Sequence, residues 1–434
     1  MKNMNNAILF NGIDIKNIRK HFPNINYDFT GKKRIFLDNG AGTLVLKEAA
    51  DSEYTSRINY SANIDAYYNE SKMNMKIIME GRKAVADFLN VPNPENIFQG
   101  ESASELFFRI AFSLRKFLNK DDNVVSTYGE HFSNVAPYIF MKNDGKISEV
   151  RLAKINKKEG ILDYNDFISL IDKKTKVITV IAENNLLGTK NNLKEISKIC
   201  RENGSIFIVD GVHYAPQELI DVQEINCDAF VFSSYKLFGP RGSFMYINDN
   251  IIEKINPFFV DPLANFRIGS YFEPGTRDQA IFAAILEVIN YISGISLRNE
   301  KKSANLKKRR KNIETTMKWT EGYLSEISKL ILEGNEKVVG LNYIKNIDLY
   351  GISDIHKLKE RGSTFSFKFK NINEVKAEKY FWNKFRITVV GGNHWNLAHN
   401  LYNINSMLRV TFLNYNTFKE AEEFLKAVEY ISKL

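Results

Sequence analysis

The middle of the chain alternates short apolar runs with segments whose apolar residues recur at the spacing of an amphipathic helix. Four such runs are EVRLAKI (149–155), KVITVIAEN (176–184), SIFIVDG (205–211) and DAFVFSS (228–234), and NNLKEISKICRENG (191–204) is one of the helical segments between them. Continuous apolar runs are typical of strands buried on both faces, and helical crossovers join neighbouring parallel strands. The sequence therefore predicts an α/β fold with a mostly parallel sheet covered by helices.

Changes in this pattern predict three regions. Residues 73–292 carry the alternating pattern, and an amphipathic helix over 75–91 is expected to lead into it. Residues 293–434 begin with a long charged helix and continue as mixed strands and helices, which indicates a smaller α+β domain. Thr417, with Glu420 three residues later, predicts a capping box at its last helix. Residues 1–72 are expected to pack on both domains.

Composition excludes several classes of protein. Cys200 and Cys227 are the only cysteines of the 434 residues, so neither a disulfide framework nor a thiolate metal cluster is expected, and no metal site is predicted. The sequence shows no secretion signal and no apolar stretch of about 18 residues that could span a bilayer. We therefore expect a cytoplasmic protein without a membrane contact.

The formal net charge of +9 is spread along the chain, with one dense basic cluster, KKRRK, at 307–311. The surrounding sequence predicts a long helix, and a solvated helix face explains such a run more simply than a nucleic-acid surface. A phosphorylated cofactor is a sufficient reason for some basic excess. No nucleic-acid partner is predicted.

Three polar residues, Asn185, Asp210 and Lys236, come at or soon after the ends of apolar runs. Ligands of an open α/β sheet bind beyond the carboxyl ends of its strands, so these side chains are expected to face one crevice. A lysine that condenses with an aldehyde and an aspartate that can hold a pyridinium nitrogen are the groups that pyridoxal phosphate chemistry needs most. Taken singly, each is explained as a turn former, a helix cap or a solvated lysine. Together they favour a cofactor site.

The segment FQGESASELFF (98–108) offers a place for a phosphate. Gly100, Ser102, Ala103 and Ser104 stand immediately before an apolar helix, and the free backbone amides of a helix start bind anions. Ser102 and Glu105 also predict a capping box, which would explain the segment without any ligand. The two interpretations are compatible, because a capped helix start is also an anion site.

Five motifs occur in an order and at separations that resemble a known family. They are YGEHFSNVAP (128–137), DGVHYAP (210–216), SSYKLFGPRG (233–242), FEPGTRDQA (272–280) and LRVTFLNYNT (408–417). Together they resemble the class V aminotransferase family of fold type I pyridoxal phosphate enzymes, and most closely its cysteine desulfurase-like branch. The resemblance spans roughly residues 35–431 and implies a large domain with a seven-stranded type of sheet, mostly parallel, and a smaller C-terminal α+β domain.

The resemblance assigns roles around pyridoxal 5'-phosphate. It implies that Lys236 forms the Schiff base, that Asp210 pairs with the ring nitrogen, and that His131 stacks on the ring. Asn185 is expected at the phenolic oxygen, with His213 nearby in a place where relatives often carry glutamine. The implied phosphate contacts are Ser102, Ala103, Ser104, Ser233, Tyr235 and, from a second copy of the chain, Thr276. A homodimer with shared active sites follows from the last of these.

The resemblance also implies an α-amino acid substrate. Family members hold the substrate carboxylate with an arginine at the position of Arg409, and a guanidinium suits a carboxylate as a bidentate partner. Without the resemblance, Arg409 would be taken for an exposed residue of an edge strand. Lys236, once displaced by the substrate amine, is expected to move the α-proton.

One departure from the family pattern bears on the reaction. Desulfurases attack the substrate sulfur with a cysteine on the loop before this arginine, but residues 389–407 contain no cysteine. His394 stands about where the thiol would be, and His394 and Trp395 are expected to shape the substrate pocket or deliver a proton, or else to be ordinary loop residues. Cys200 and Cys227 are expected to be buried packing residues.

The sequence therefore predicts a pyridoxal phosphate enzyme that removes the α-proton of an amino acid. The leading hypothesis is β-elimination at a carbon–sulfur bond without an enzyme persulfide. Transamination to a keto acid is the first alternative, and racemisation shares the same first step. A cofactor-binding regulator or partner protein without catalysis is the alternative from another class, although residues 1–72 show no helix-turn-helix pattern.

Overall fold

The computed structural model of the chain describes residues 15–252, 254–255, 272–273, 275–296 and 308–434. Its helices are α1 (Ile15–Lys20), α2 (Lys47–Asn59), α3 (Asn69–Leu89), α4 (Ala103–Ser113), α5 (Phe132–Asn143), α6 (Tyr164–Ser169), α7 (Leu193–Asn203), α8 (Val222–Ile225), α9 (Asp249–Ile252), α10 (Gln279–Ile295), α11 (Arg309–Glu333), α12 (Glu374–Tyr380), α13 (Ala398–Tyr402) and α14 (Phe418–Ile431). Its strands are β1 (Ile35–Phe36), β2 (Ile97–Gly100), β3 (Asn123–Thr127), β4 (Glu149–Ala153), β5 (Thr175–Ile181), β6 (Ile206–Asp210), β7 (Ala229–Ser233), β8 (Ser243–Ile247), β9 (Gly334–Asn335), β10 (Val338–Val339), β11 (Ile347–Tyr350), β12 (Thr364–Phe369), β13 (Ile387–Thr388), β14 (Val390–Gly392) and β15 (Met407–Thr411).

A seven-stranded sheet forms the centre of the molecule, with its strands in the order β2-β8-β7-β6-β5-β3-β4. Strands β3 to β7 run parallel, and β8 runs antiparallel to both of its neighbours. The four apolar runs of the sequence form β4, β5, β6 and β7. Every residue of β6 and β7 is buried, because helices cover both faces of the sheet. The predicted fold class is confirmed.

Helix α7 shows how the sequence sets the crossover between β5 and β6. Asn192 caps its first turn by accepting the amide hydrogen of Glu195, and Gly204 ends it with a positive φ of 73°. Leu193, Ile196 and Cys200 form its buried face. The chain is thereby returned to the sheet at β6, the strand that carries Asp210.

A second, antiparallel sheet lies in the C-terminal part, with strand order β11-β12-β15-β14. Its core is rich in phenylalanine, including Phe365, Phe367 and Phe424. The capping box predicted at Thr417 and Glu420 is present at the start of α14. Strand β15 lies inside this sheet, so Arg409 is not on an edge strand.

The segment before α3 contacts both cores. Ile18 and Phe22 belong to the core of the large sheet, whereas Leu37 belongs to that of the second sheet. Strand β1 pairs in parallel with β13. The predicted divisions after residues 72 and 292 fall within α3 and α10, and the three-region division stays a proposal.

The basic run 307–311 differs from the solvated helix face that we expected; Lys307 lies outside the described residues. Arg309, at the start of α11, is 5% exposed, and its guanidinium donates to Asp87 at 2.7 Å. Arg310 donates to the carbonyls of Phe88 and Ile220, both at 2.8 Å. Two arginines of the run therefore anchor α11 to the large-sheet part, and their charges are used within the chain.

Two searches of the described ranges bear on further sites. No helix there combines the length and the apolar character that crossing a bilayer requires. Nor do the described ranges bring three or more His, Cys, Asp or Glu side chains together in a way that could hold a metal ion.

Candidate active site

A cleft opens at the carboxyl ends of β5, β6 and β7. Ten of the predicted site residues line it: Ser102, Ala103, Ser104, His131, Asn185, Asp210, His213, Ser233, Tyr235 and Lys236. Ser133, Ile181 and Val212 also line it and were not singled out from the sequence. The expectation that strand ends meet in one crevice therefore describes the geometry well.

Lys236 ends a short 3₁₀ turn that follows β7 directly. The side chain is buried, and burial, with a further contribution from the charge of Arg409, lowers the pKa of its amine to about 8. The carboxylates of Asp210 and Asp38 oppose this shift through space, without forming a hydrogen bond or salt bridge to the amine. A buried amine of this kind is substantially neutral near pH 8 and able to attack a carbonyl carbon.

Asp210 is the last residue of β6, and it is buried. One carboxylate oxygen accepts the amide hydrogen of Val212 at 3.0 Å. Burial raises the pKa of the carboxyl to about 6, while this hydrogen bond and the charge of Lys236 act in the opposite direction. A cationic group beside Asp210 would lower that pKa again and would in turn stay protonated.

His131 caps α5 with its ring. Its Nδ1 accepts the amide hydrogen of Ser133 at 3.3 Å and lies 2.8 Å from the Ser133 hydroxyl. A ring nitrogen that accepts from a backbone amide carries no proton, so the proton lies on Nε2. Burial, with the charges of Lys236 and Arg409, lowers the pKa of His131 to about 3, and the ring is neutral.

The helix start at Ser102 forms one end of the cleft. Ser102 accepts the amide hydrogen of Glu105 at 3.1 Å, but the Glu105 carboxylate pairs with Arg109 at 2.5 Å. Only half of the predicted capping box is therefore observed. At the same end, the Arg241 guanidinium lies 4.9 Å from the centre of the Tyr235 ring and adds a positive charge. A helix start, hydroxyl groups and a nearby guanidinium suit a phosphate.

Arg409 lies beside the cleft in β15 and is 4% exposed. Its guanidinium donates to the carbonyl of Asn185 at 2.9 Å, and Asp38 lies 3.9 Å away. Burial lowers the pKa of Arg409 to about 10, so it stays charged. A Cβ at Gly40 would lie 2.9 Å from the guanidinium carbon, so a larger residue there would displace the Arg409 side chain. Asp38 and Gly40 carry no sequence signal that separates them from ordinary turn residues.

The segment 389–407 does not line the cleft itself but forms a second wall behind two lining residues, Asn185 and His131, and hydrogen bonds hold it against the large-sheet part. The side-chain amide of Asn396 donates to the carbonyl of Gly129 at 3.0 Å and to Asn185 Oδ1 at 2.7 Å. Asn185 donates in return to the carbonyl of His394 at 2.9 Å. The amide of Asn185 is thus engaged with this segment, and its predicted contact with the cofactor stays a prediction.

His394 and Trp395 both adopt a left-handed backbone, with φ of 49° and 53°. His394 Nε2 donates to the carbonyl of Met407 at 3.1 Å, and burial lowers the pKa of the ring to about 3. A ring with this pKa has no spare proton near neutral pH, which argues against proton delivery. Neither His394 nor Trp395 is among the residues that line the cleft, and Trp395 is 70% exposed. Thr276 is also exposed and away from the cleft of its own chain.

Both cysteines are buried and free, as expected. Cys200 lies on the inner face of α7, and Cys227 precedes β7. Burial raises the pKa of both thiols well above the ordinary value, so neither is a reactive thiolate.

Comparison with known proteins gives one consistent result. The family model described as aminotransferase class-V matches residues 35–323 and 313–424. A probable cysteine desulfurase of Borreliella burgdorferi is 28% identical over 440 residues, covering 96% of each chain. A cysteine desulfurase of Yersinia pseudotuberculosis is 25% identical over 444 residues, covering 97% of this chain and 98% of the relative. Among solved structures, the apo cysteine desulfurase of Thermococcus onnurineus has a TM-score of 0.81 at 23% identity, covering 96% of this chain and 98% of that chain.

Proposed function

We propose, from the premise that this chain belongs to the aminotransferase class-V family and is a pyridoxal phosphate-dependent enzyme, that it cleaves the carbon–sulfur bond of a cysteine derivative by β-elimination. The observation that carries the proposal is the wall at 389–407. This segment precedes Arg409 and contains no cysteine, and both cysteines of the chain are buried elsewhere. The resemblance to desulfurases implies a reactive thiol on this segment. We therefore propose that sulfur leaves without passing through an enzyme persulfide.

The residues of the cleft fit the cofactor. The buried amine of Lys236 has no ion-pair partner among the described side chains, and Asp210 lies at the end of the adjacent strand. Ser102, Ala103, Ser104, Ser233 and Tyr235 would hold the phosphate, and His131 and His213 would contact the ring. When bound, pyridoxal phosphate supplies an electron sink for the bond broken at the substrate α-carbon.

Arg409 and Lys236 would divide the work on the substrate. Arg409 keeps its charge in a buried place, so it can pair with the α-carboxylate and fix the orientation of the amino acid. Lys236 Nζ, with its pKa lowered to about 8, would accept the α-proton and is suited to proton transfer near neutral pH. His131, neutral and hydrogen-bonded to Ser133, would keep the ring in place.

The net reaction on cysteine balances with one water molecule. The α-carbon loses its proton, the bond from the β-carbon to sulfur breaks, and sulfur leaves with the bonding electrons and is protonated. Hydrolysis of the remaining three-carbon amine gives pyruvate and ammonia. A thiol ether of cysteine would release the corresponding thiol instead of hydrogen sulfide.

Product analysis tests the proposal. The purified enzyme is incubated with L-cysteine, with S-substituted cysteines and with alanine, and pyruvate, ammonia and sulfide or thiol are measured. Equal amounts of pyruvate and thiol from cysteine derivatives support elimination. Accumulation of pyridoxamine phosphate would point to transamination, and D-amino acid to racemisation; either result alone contradicts the proposal. A colourless protein that no cofactor changes would favour a non-enzymatic role.

We also propose a homodimer in which Thr276 of one copy reaches the phosphate of the other. Its exposed position, away from the cleft of its own chain, supports this arrangement. Light scattering of the holoenzyme should give twice the chain mass of 50.0 kDa. A monomeric holoenzyme that binds the cofactor fully would contradict it.

A further inference from the structure

The ring of His213 contacts Thr364, the first residue of β12, and its backbone is linked through Gln217 to Ser363, the residue before that strand. The ring nitrogen Nε2 lies 2.8 Å from the hydroxyl of Thr364. The backbone carbonyl of His213 accepts from the Gln217 amide at 3.2 Å, and the Gln217 oxygen accepts from the amide and the hydroxyl of Ser363 at 2.8 and 2.6 Å. A residue that lines the cofactor cleft therefore takes its position from a strand more than a hundred residues away in the chain.

Strand β12, whose Thr364 contacts His213, also pairs with β15, the strand that carries Arg409. Thr364 begins β12 and stands opposite Thr411 of β15, with the two hydroxyls 2.9 Å apart. Arg409 stands on the same strand β15, opposite Ser366. His213 and Arg409 are thus fixed by one pair of hydrogen-bonded strands, although one residue faces the cofactor cleft and the other is expected to bind the substrate.

The ring of His213 is neutral. It is buried, and burial, with the charges of Lys236 and Arg409, lowers its pKa well below the ordinary value. A neutral imidazole has one nitrogen that donates and one that accepts. The Thr364 hydroxyl either donates to Nε2 and accepts from Thr411, or accepts from Nε2 and donates to Thr411. Each arrangement corresponds to one tautomer of His213, so the tautomer is coupled to this pair of hydroxyls.

We propose that Thr364 is a positioning residue that fixes the orientation and the tautomer of His213 at the cofactor cleft, and so ties that cleft to the strand pair that carries Arg409. The role toward the cofactor rests on the proposed function. Loss of the hydroxyl would leave a buried ring nitrogen without its partner, which is costly because water cannot replace it. The ring would then turn or adopt both tautomers.

The tautomer can be read without turnover. The chain has six histidines, so ¹⁵N-histidine labelling gives six imidazoles, and His213→Gln identifies the resonances of His213. Wild type and Thr364→Ser are expected to show one tautomer, and Thr364→Val a mixture. Thr316→Val is the matched control, because the Thr316 hydroxyl is buried without a partner and its loss should change nothing at His213.

Cofactor retention gives the second readout. Thr364→Val is expected to release pyridoxal phosphate about tenfold more readily, with Thr364→Ser within about twofold of wild type. Thr364→Ala, whose side chain is smaller, replaces the valine variant if that variant does not fold. A mixture of tautomers and faster release of the cofactor are expected for it as well. Unchanged tautomer and unchanged retention in the valine or alanine variant would overturn the proposal. If the wild-type protein also bound no cofactor, the proposed function would fail instead, and the tautomer measured on the apoprotein would still decide the role of Thr364.

Discussion

The two walls of the cleft are held by different forces. On the large-sheet side, Asp210 and Ser233 end buried parallel strands and Lys236 follows one of them, so the backbone ladder of the sheet sets their places. On the other side, segment 389–407 is held by the pairing of β14 with β15, by backbone hydrogen bonds to Glu130 and Phe132, and by the side-chain amides of Asn185 and Asn396. Part of the hold on this second wall, which we call the amide-held wall, therefore depends on single side chains, whereas the strand-end wall depends on the sheet itself. We infer that the strand-end wall fixes the cofactor, whereas the amide-held wall decides what happens to the substrate.

The largest effect is expected from Lys236→Ala on the strand-end wall. Without the amine the cofactor has no covalent attachment and the α-proton no acceptor, so turnover should fall by about 10³-fold or more. The visible absorbance of the attached cofactor should disappear, and borohydride should no longer fix pyridoxal phosphate to the protein. Lys254→Ala, an exposed lysine, is the control and should behave as wild type. Covalent labelling that survived in Lys236→Ala would place the attachment elsewhere.

Arg409→Gln tests the substrate side with the cofactor left in place. Loss of a buried, charge-assisted contact to the α-carboxylate should raise KM for the amino acid by about 10-fold to 100-fold. The absorbance of the bound cofactor should persist, which separates this variant from Lys236→Ala. An unchanged KM would mean that another group binds the carboxylate.

The same variant should change the pH dependence of cofactor attachment. The neutral form of Lys236 attacks the aldehyde, so attachment to the apoprotein should rise with pH through the pKa of about 8. The charge of Arg409 lowers this pKa, and its removal should raise it, moving the midpoint to higher pH by roughly half to one unit. Stopped-flow absorbance from pH 6.5 to 10 measures the midpoint, and Lys254→Ala, which removes an exposed charge, is the control expected to keep the wild-type midpoint. A shift to lower pH would contradict the electrostatic assignment.

Asn396→Ala should loosen the amide-held wall alone. It removes the donor to Gly129 and Asn185, so amide hydrogen exchange should quicken around residues 393–397 and kcat should fall by about fivefold. Cofactor absorbance should not change, because the strand ends are untouched. Asn400→Ala, on the exposed side of the same segment, should leave exchange and kcat as they are. Equal exchange in the two variants would show that the wall is held by other contacts.

The sequence predicted the strand-end wall better than the amide-held wall, because the apolar runs that form the strands are local patterns. The four apolar runs correspond to β4 to β7, and the polar residues at their ends predicted where the cleft lies. Strand β3 was not singled out, since Asn123 and Ser126 interrupt its apolar pattern. These side chains are buried because Asn123 donates to Asp172 and Ser126 to the carbonyl of Thr179, partners that only the folded chain supplies.

Contacts between distant segments explain what the sequence could not predict. Asp38, Thr364 and Asn396 are ordinary polar residues in their own segments, and each reaches the cleft region through partners more than a hundred residues away. Arg309 appeared solvated for the same reason, because its partner Asp87 lies 222 residues earlier. Charge runs and single amides acquire a role only when the fold brings such partners together.

The smallest effect is expected from the double variant Cys200→Ala, Cys227→Ala. If sulfur leaves the substrate directly, carbon–sulfur cleavage should stay within about twofold of wild type, although the lost packing of each buried thiol should cost about 1 kcal/mol of folding stability. Mass spectrometry of the wild-type protein after reaction with cysteine should show no added sulfur atom. A thiol must ionise to attack sulfur, and burial opposes ionisation at both positions. Loss of cleavage in a folded double variant, or a sulfur adduct on either cysteine, would mean that a buried thiol becomes accessible during turnover, and the amide-held wall would then not be the part of the site that determines the reaction.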